Sequence, residues 1–448
     1  MTDQVNTREI VLEMLLEVID GDKYSHTVLN QCLRKHQTLS KQERAFTSHL
    51  FIGTVKRYLT LDYVINQYAS LPVKKMKPFI RNLLRMSVYQ LMYMEQIPVS
   101  AVCNEAVKLA KKRSFGKLSG FVNGILRTIS RSLKEITYPD PVGTTAEYLE
   151  VVYSTPKWLV EELLAEYSYA TVETMLAASL KEKETTIRCN MRLVAPKELK
   201  TMLEQEGVTV QESDYLPYAF QIKDYDYLEK LEPFRKGCFT VQDVSSMLVC
   251  EVAGITEQDF LIDVCAAPGG KALHAAQTAD QVLARDLTEY KIKLIEENRI
   301  RMGFQNVTAQ VWDATVPDES LVGRADVVIA DLPCSGLGVL GKKADLKYKL
   351  TQNQHKELIE LQRLILDKVE KYVKPGGILI YSTCTIYRGE NEENRSWFLE
   401  HYPYSPEAID SRLPELLHTE TTKEGYLQLL QGIQNTDGFF IAKFRKQS

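Results

Sequence analysis

The sequence predicts a multidomain chain: an all-helical N-terminal domain, a small α+β domain, and a C-terminal α/β domain built on a doubly wound sheet. Three observations carry this expectation. Apolar residues recur with helical period through residue 131. From Asp259 onward, strand-like and helical stretches alternate. Between the first such strand and its helix lies a Gly-rich turn, DVCAAPGGK (263–271).

In the first part, Ile10, Val11, Met14, Leu15, Val18 and Ile19 line one helical face, and segments 41–69, 77–95, 99–112 and 116–131 follow suit. Pro78 sits where a first helical turn tolerates it, and Pro98 marks the next boundary. A domain over 1–132 with about five to seven helices is expected. It carries 20 Lys and Arg against 10 Asp and Glu, whereas the rest of the chain carries 35 against 49. A basic domain joined to an acidic one suits a polyanion partner for the first. Lys74-Lys75-Lys77-Arg81-Arg85 and Lys108-Lys111-Lys112-Arg113-Lys117 form a candidate phosphate track; a merely solvated helix face is the plain alternative.

Residues 133–153 read as a linker, with Pro139, Pro141 and Gly143. The small α+β domain is expected over 154–236. It opens on a helix with Ser154 as N-cap and Pro156 in its first turn, followed by strand-like TIRCN (186–190) and a helix from Pro196 to Gln205. The C-terminal α/β domain is expected over 237–448, with 237–255 as the helix leading into its first strand.

In that domain, strands are expected at 260–264, 281–286, 308–313, 325–331, 376–383 and 438–444, the last antiparallel, with helices at 272–278, 289–302 and 355–373. Ligands of such sheets bind beyond the carboxyl ends of the strands. Asp263, Asp286, Asp313 and Asp331 all fall at such ends. One strand-terminal Asp is usually a helix cap, but four read as a ligand-facing rim. Gly269 and Gly270 permit a tight turn and close approach of a ligand, and Asp286 stands where a carboxylate meets a ribose. Ala266 and Ala267 occupy the places where a dinucleotide loop needs glycine. S-adenosylmethionine, a nucleoside without phosphate, fits this loop better.

Composition narrows the setting. At 448 residues the chain has room for about two to four domains. MTDQVNTREI is not expected to be a signal peptide, and no apolar run reaches membrane-spanning length. Eight scattered cysteines without a CxxC pair suggest a reduced, cytoplasmic protein with no metal site.

Two of these cysteines lie at the rim. Cys334 follows Asp331-Leu332-Pro333, and Cys384 follows Tyr381-Ser382-Thr383. Each alone is more simply a buried hydrophobic thiol. Together, beside an Asp-x-Pro loop, they suit methylation of a pyrimidine at carbon 5. That carbon is a poor nucleophile until a thiolate adds at carbon 6, and a carboxyl group near ring nitrogen 3 stabilises the adduct.

NLLRMSVYQLMYMEQIP (82–98), AVCNEAVKLAK (101–111) and GFVNGILR (120–127) resemble the NusB-like RNA-binding domain of bacterial Sun/Fmu-type 16S rRNA cytosine-5 methyltransferases. DVCAAPGGK, DLPCSGLGVL (331–340), STCTIYRGENEEN (382–394) and NTDGFFIAKF (435–444) resemble the cofactor loop, the two cysteine loops and the closing strand of the same family. The resemblance covers essentially the whole chain and implies a Rossmann-like methyltransferase domain using S-adenosyl-L-methionine. It implies Cys384 as nucleophile, Cys334 as the group assisting product release, and Asp331 at the cytosine edge. It further implies Asp286 at the ribose, Asp313 at the adenine, Lys271 at the cofactor and nucleotide site, and Cys265, Ala266, Ala267, Pro268, Gly269 and Gly270 around the methionine end. The implied substrate is 16S rRNA, at position 967, naked or in an assembling small subunit, and the enzyme is expected to be a monomer. Alternatives are a tRNA cytosine-5 methyltransferase and a non-enzymatic NusB-like RNA-binding factor. Three places depart from the family pattern: Ala272 stands for a Ser or Thr, Lys342-Lys343-Ala344-Asp345 for a more usual Arg-x-Pro-Asp, and Tyr348 for a common Trp.

Overall fold

A computed structural model describes residues 6–448. Part of the N-terminal stretch read for a signal peptide therefore lies outside the described residues. The chain forms two compact units: one runs through Lys181 and takes in Leu340–Lys349, and the other comprises Glu182–Val339 and Leu350–Ser448.

The first unit is helical. Thr7–Ile19, Ser25–Lys35, Lys41–Lys56, Tyr58–Tyr68, Pro78–Tyr93, Val99–Lys112 and Ser119–Arg131 enclose a core that includes Leu15, Phe51, Leu83 and Leu126. Their starts follow capping chemistry: Asn6 accepts from the Arg8 and Glu9 amides, and Ser40 with Glu43 forms a capping box. Half of the expected phosphate track is internal structure. Arg85 is buried against Asp62, Arg81 pairs with Asp20, Lys112 and Arg113 pair with Glu9, and Lys108 pairs with Glu105. Lys74, Lys75, Lys77, Lys111 and Lys117 stay exposed, with no ion pair among the described residues.

The stretch read as a linker holds a helix, Thr145–Tyr153. Ser154 is not the N-cap of the next helix. It ends the preceding one in the left-handed region (φ +50°), and the new helix runs Lys157–Glu166 after Pro156. Proline disfavours helical geometry in the residue before it, so a helix cannot run through Thr155 into Pro156. Tyr169–Leu180 completes the unit.

Leu340–Lys349 anchors in this helical unit through Ala344, Asp345 and Tyr348. Ala344 joins the helical core. Asp345 accepts from the Ser25 amide at 3.1 Å and from the Ser25 hydroxyl at 2.5 Å. The Tyr348 hydroxyl lies 2.8 Å from the carbonyl oxygens of both Lys56 and Ser154.

The second unit contains two sheets. The small one, β1 (Thr185–Cys189), β2 (Thr209–Glu212), β3 (Ala219–Lys223) and β4 (Phe239–Val241), is antiparallel in the order β2-β3-β1-β4. The stretch 237–255 is therefore not one helix. Phe239-Thr240-Val241, aromatic and β-branched, pairs with β1, and the helix Val244–Ala253 starts only after Asp243 caps it.

The large sheet follows the expected doubly wound pattern. β5 (Phe260–Asp263), β6 (Gln281–Asp286), β7 (Val307–Val311), β8 (Ala325–Asp331) and β9 (Val373–Thr383) are parallel, in the order β9-β8-β5-β6-β7. β10 (Tyr404–Pro406), β11 (Tyr426–Leu429) and β12 (Phe439–Lys446) extend it, and β12 lies antiparallel to β9. β10 and β11 are short edge strands that gave no expected element. No helix among the described residues is long and apolar enough to cross a membrane.

Asp345→Ala should leave the buried Ser25 amide and hydroxyl without acceptors. A loss of about 1–3 kcal/mol is expected in chemical denaturation of the full chain. An unchanged midpoint would show that this anchor contributes nothing.

Candidate active site

The site lies at the carboxyl edge of the large sheet. β8 pairs with β9 so that Asp331 faces Ser382, and the ladder continues past the strands, with the Leu332 amide donating to the Ser382 carbonyl. Two residues beyond Leu332 and Ser382 come the two cysteines, and their sulfurs stand 3.3 Å apart. Each is partly exposed. The hydrogen bond to Cys384, together with burial, pushes the Cys334 thiol well up.

Lys271 projects from the helix Gly270–Ala275 into the same edge. Its ammonium lies 2.5 Å from Asp331 Oδ2 and over the Phe439 ring. Burial opposes charge on Lys271, but Asp331, Asp263 and the Cys384 sulfur outweigh it and raise its pKa above the ordinary lysine value. The second Asp331 oxygen accepts from Ser382 Oγ at 2.9 Å. Asp263, fully enclosed at the end of β5, is pushed up to about 7, chiefly by burial.

The turn after β5 follows its sequence closely. Ala266 donates to the Arg285 carbonyl at 2.8 Å, and Gly269 turns back to the Ala266 carbonyl at 2.7 Å. Gly269 sits at φ +105°, open only to glycine without strain. The Ala267 amide donates to Asp286 Oδ2 at 3.0 Å, while Asp286 Oδ1 takes the Leu287 amide and Lys291. Cys265 lies beneath this turn, its thiol raised by burial, and Pro268 is exposed.

The four-aspartate rim divides. Asp263 and Asp331 share Lys271, and Asp286 braces the turn. Asp313 lies two residues beyond β7, because that strand ends at Val311. It is exposed and accepts from the Thr315 amide and hydroxyl, which hold its pKa low.

The donor set suits S-adenosylmethionine. Carboxylates, with no unpaired cation beside the turn among the described residues, match a nucleoside that carries a positive sulfonium. Leu287, just past the end of β6, and Val311, opposite Asp286 on β7, are each about half exposed and offer apolar surface for a base. Arg188 and Gln242 went unread in the sequence. Arg188 is fully buried, donates to Gln242 at 2.6 Å, and reaches the Gly270 carbonyl from behind. A charged residue inside a strand carries no pattern that marks it as support for a loop 82 residues away.

A family model of the 16S rRNA methyltransferase RsmB/F matches residues 252–445. The NusB family matches 5–131, and the ferredoxin-like domain of RsmF/B-like methyltransferases matches 155–226. A probable ribosomal RNA small subunit methyltransferase B of Bacillus subtilis (strain 168) is 34% identical over 99% of both chains. The chain belongs to the 16S rRNA methyltransferase RsmB/F family. Its counterpart in Synechocystis sp. is 30% identical over 99% of this chain and all of its own. The crystal structure of PH0851 shares the fold over 99% of both chains, with TM-score 0.81 and 25% identity. NSun6 from Pyrococcus horikoshii covers 65% of this chain and 98% of its own (TM-score 0.58, 23% identity) and shows the fold alone.

The Asp263 carboxyl titrates at about 7 in the folded protein, against about 3.9 in an unfolded chain. Between those values the folded state holds a proton that the unfolded state has lost, so this group weakens folding as pH rises through the window. Asp263→Asn removes that dependence. Wild-type stability relative to the variant should fall between about pH 4 and pH 7, as read by denaturant titration, and parallel curves would contradict the assignment.

Proposed function

We propose that the chain methylates carbon 5 of one cytosine in 16S rRNA through a covalent bond from Cys384 to carbon 6, using S-adenosylmethionine. The observation that carries the reading is the pair of sulfurs 3.3 Å apart beside the Lys271–Asp331 ion pair. One thiol alone could form the adduct; two in contact suit a reaction that must also dismantle it.

Lys271 brings positive charge to Cys384, and a cation beside a thiol favours its nucleophilic form. Addition of that sulfur to carbon 6 moves electron density onto carbon 5. S-adenosylmethionine, when bound, supplies the electrophilic methyl group. Asp331 meets the cytosine edge from its place between Lys271 and Ser382, and Asp286 meets the ribose. Asp313, near the adenine side, keeps one carboxylate oxygen clear of Thr315.

Release requires a base for the carbon 5 proton, and Cys334 fills that role. In the resting pair the neighbouring Cys384 sulfur is the largest influence keeping Cys334 protonated. Once that sulfur is bonded to carbon it carries no charge and no proton to share, so Cys334 ionises more readily.

The exposed Lys74, Lys75, Lys77, Lys111 and Lys117 supply contacts to RNA phosphates, which makes binding salt-dependent. The target base has to leave its stack, so an accessible loop nucleotide suits the site. The same reading has the enzyme act in the cytoplasm as a monomer, on free rRNA or an assembling subunit.

Labelled methyl transfer to unmodified 16S rRNA, with mapping of the modified base, tests this reading. Cys384→Ala should transfer no label. Cys334→Ala should transfer one methyl group and remain linked to RNA on a denaturing gel. Full activity of Cys384→Ala, or label found in tRNA alone, would overturn the mechanism or the substrate respectively.

A further inference from the structure

Behind the two cysteines lies a closed polar network that the chemistry above leaves unused. Glu390 is fully buried. Its Oε2 accepts from the Ser335 amide at 3.0 Å and from Gln362 Nε2 at 2.8 Å. Gln362 Nε2 also donates to the Pro333 carbonyl at 2.9 Å. Pro333 and Ser335 are the two neighbours of Cys334, so this pair grips the main chain on both sides of one thiol.

The grip is itself held. Gln362 Oε1 accepts from Asn394 Nδ2 at 2.8 Å and from the Tyr381 hydroxyl at 3.3 Å, which fixes the amide with its nitrogen toward Pro333. Ser335 Oγ meets Thr385 Oγ1 at 2.7 Å, and Thr385 follows Cys384 in the chain. The loops bearing the two cysteines are thereby tied together. Burial raises the Glu390 carboxyl above its usual range, and its Oε1 has no hydrogen-bond partner among the described residues. A buried carboxyl group with an orphaned oxygen is a poor device for stability alone.

We propose that Glu390, acting with Gln362, is a positioning residue that holds the Cys334 thiol where it removes the proton from carbon 5 of the methylated adduct. The proposal rests on the role assigned to Cys334 above. In the step it supports, the Cys334 thiolate takes the proton from carbon 5. The electrons of that C–H bond form the carbon 5–carbon 6 double bond, the bond from carbon 6 to Cys384 Sγ breaks, and its electrons leave with the sulfur as thiolate. The proton gained by Cys334 passes to water before the next release. Loosening the grip should leave addition and methyl transfer intact and stall only this elimination.

The test compares Glu390→Ala, Gln362→Ala and Glu390→Gln with wild type, Cys334→Ala and Cys384→Ala in the full-length chain. Single-turnover methyl transfer, steady-state turnover and adduct on denaturing gels are measured on the same rRNA. Glu390→Ala and Gln362→Ala should transfer the first methyl group normally and accumulate adduct. Their turnover should fall about 100-fold, the scale of a reacting group displaced by an ångström, with KM for RNA falling alongside so that kcat/KM is unchanged. Glu390→Gln keeps an oxygen able to accept both N–H bonds but removes the carboxylate charge that disfavours thiolate at Cys334. It should turn over without adduct, with the pH dependence of release displaced to lower pH.

If Cys334→Ala accumulates adduct while both alanine variants lose turnover without it, the positioning role is wrong and the Cys334 assignment stands. If Cys334→Ala accumulates none, that assignment falls and takes the positioning role with it. Should Glu390→Ala fail to fold, Gln362→Ala decides, because it opens the same grip from the other side.

Discussion

The parallel pairing of β8 with β9 sets the position of nearly every reactive group. Asp331 faces Ser382, so the residues after each strand leave the sheet together at its carboxyl edge. The ladder then extends into the loops: the Gly338 amide donates to the Cys384 carbonyl, and the Gly438 amide to the Gly338 carbonyl. Gly338 and Gly438 approach so closely that a Cβ on the first would stand 1.9 Å from the carbonyl oxygen of the second. Two cysteines 50 residues apart in sequence are brought into sulfur contact by main-chain register. A one-residue slip would turn each side chain to the opposite face and dissolve the pair.

Charge at this edge is arranged around one cation. Lys271 lies between Asp331 and Asp263 and close to Cys384, and their combined field keeps it protonated despite burial. Lysine is costly to bury without partners, and here the partners are two carboxylates at neighbouring strand ends, Asp331 and Asp263. The turn DVCAAPGGK thus does two things. Its main chain, braced by Asp286, shapes a cradle, and its last residue places a positive charge beside Cys384.

Much of this was legible from the residues. Most of the strand ends, the doubly wound character of the sheet and the placing of the two cysteines follow from apolar runs that stop at Asp and Thr-Cys positions, a local pattern that tertiary packing did not override. The short strands Phe239–Val241, Tyr404–Pro406 and Tyr426–Leu429 were not, because three or four residues carry too little periodicity. Nor was the division of the rim: Asp313 and Asp331 look alike in sequence, but one caps a turn and the other meets a buried lysine. The basic clusters misled in the same way, since Arg85 and Lys112 look like surface charge until Asp62 and Glu9 are seen beside them. Glu390 and Gln362 are ordinary polar residues of a loop and a helix, and only their convergence on Pro333 and Ser335 marks them.

The most direct test of the account is to identify the atom that bonds the base. RNA bearing 5-fluorocytosine at the target holds the adduct, because fluorine at carbon 5 cannot be removed as a proton. Digestion and mass spectrometry of the trapped complex then read the attachment site. The account predicts a single link at Cys384, formed equally well in Cys334→Ala. A link at Cys334, or trapping that survives Cys384→Ala, would contradict it.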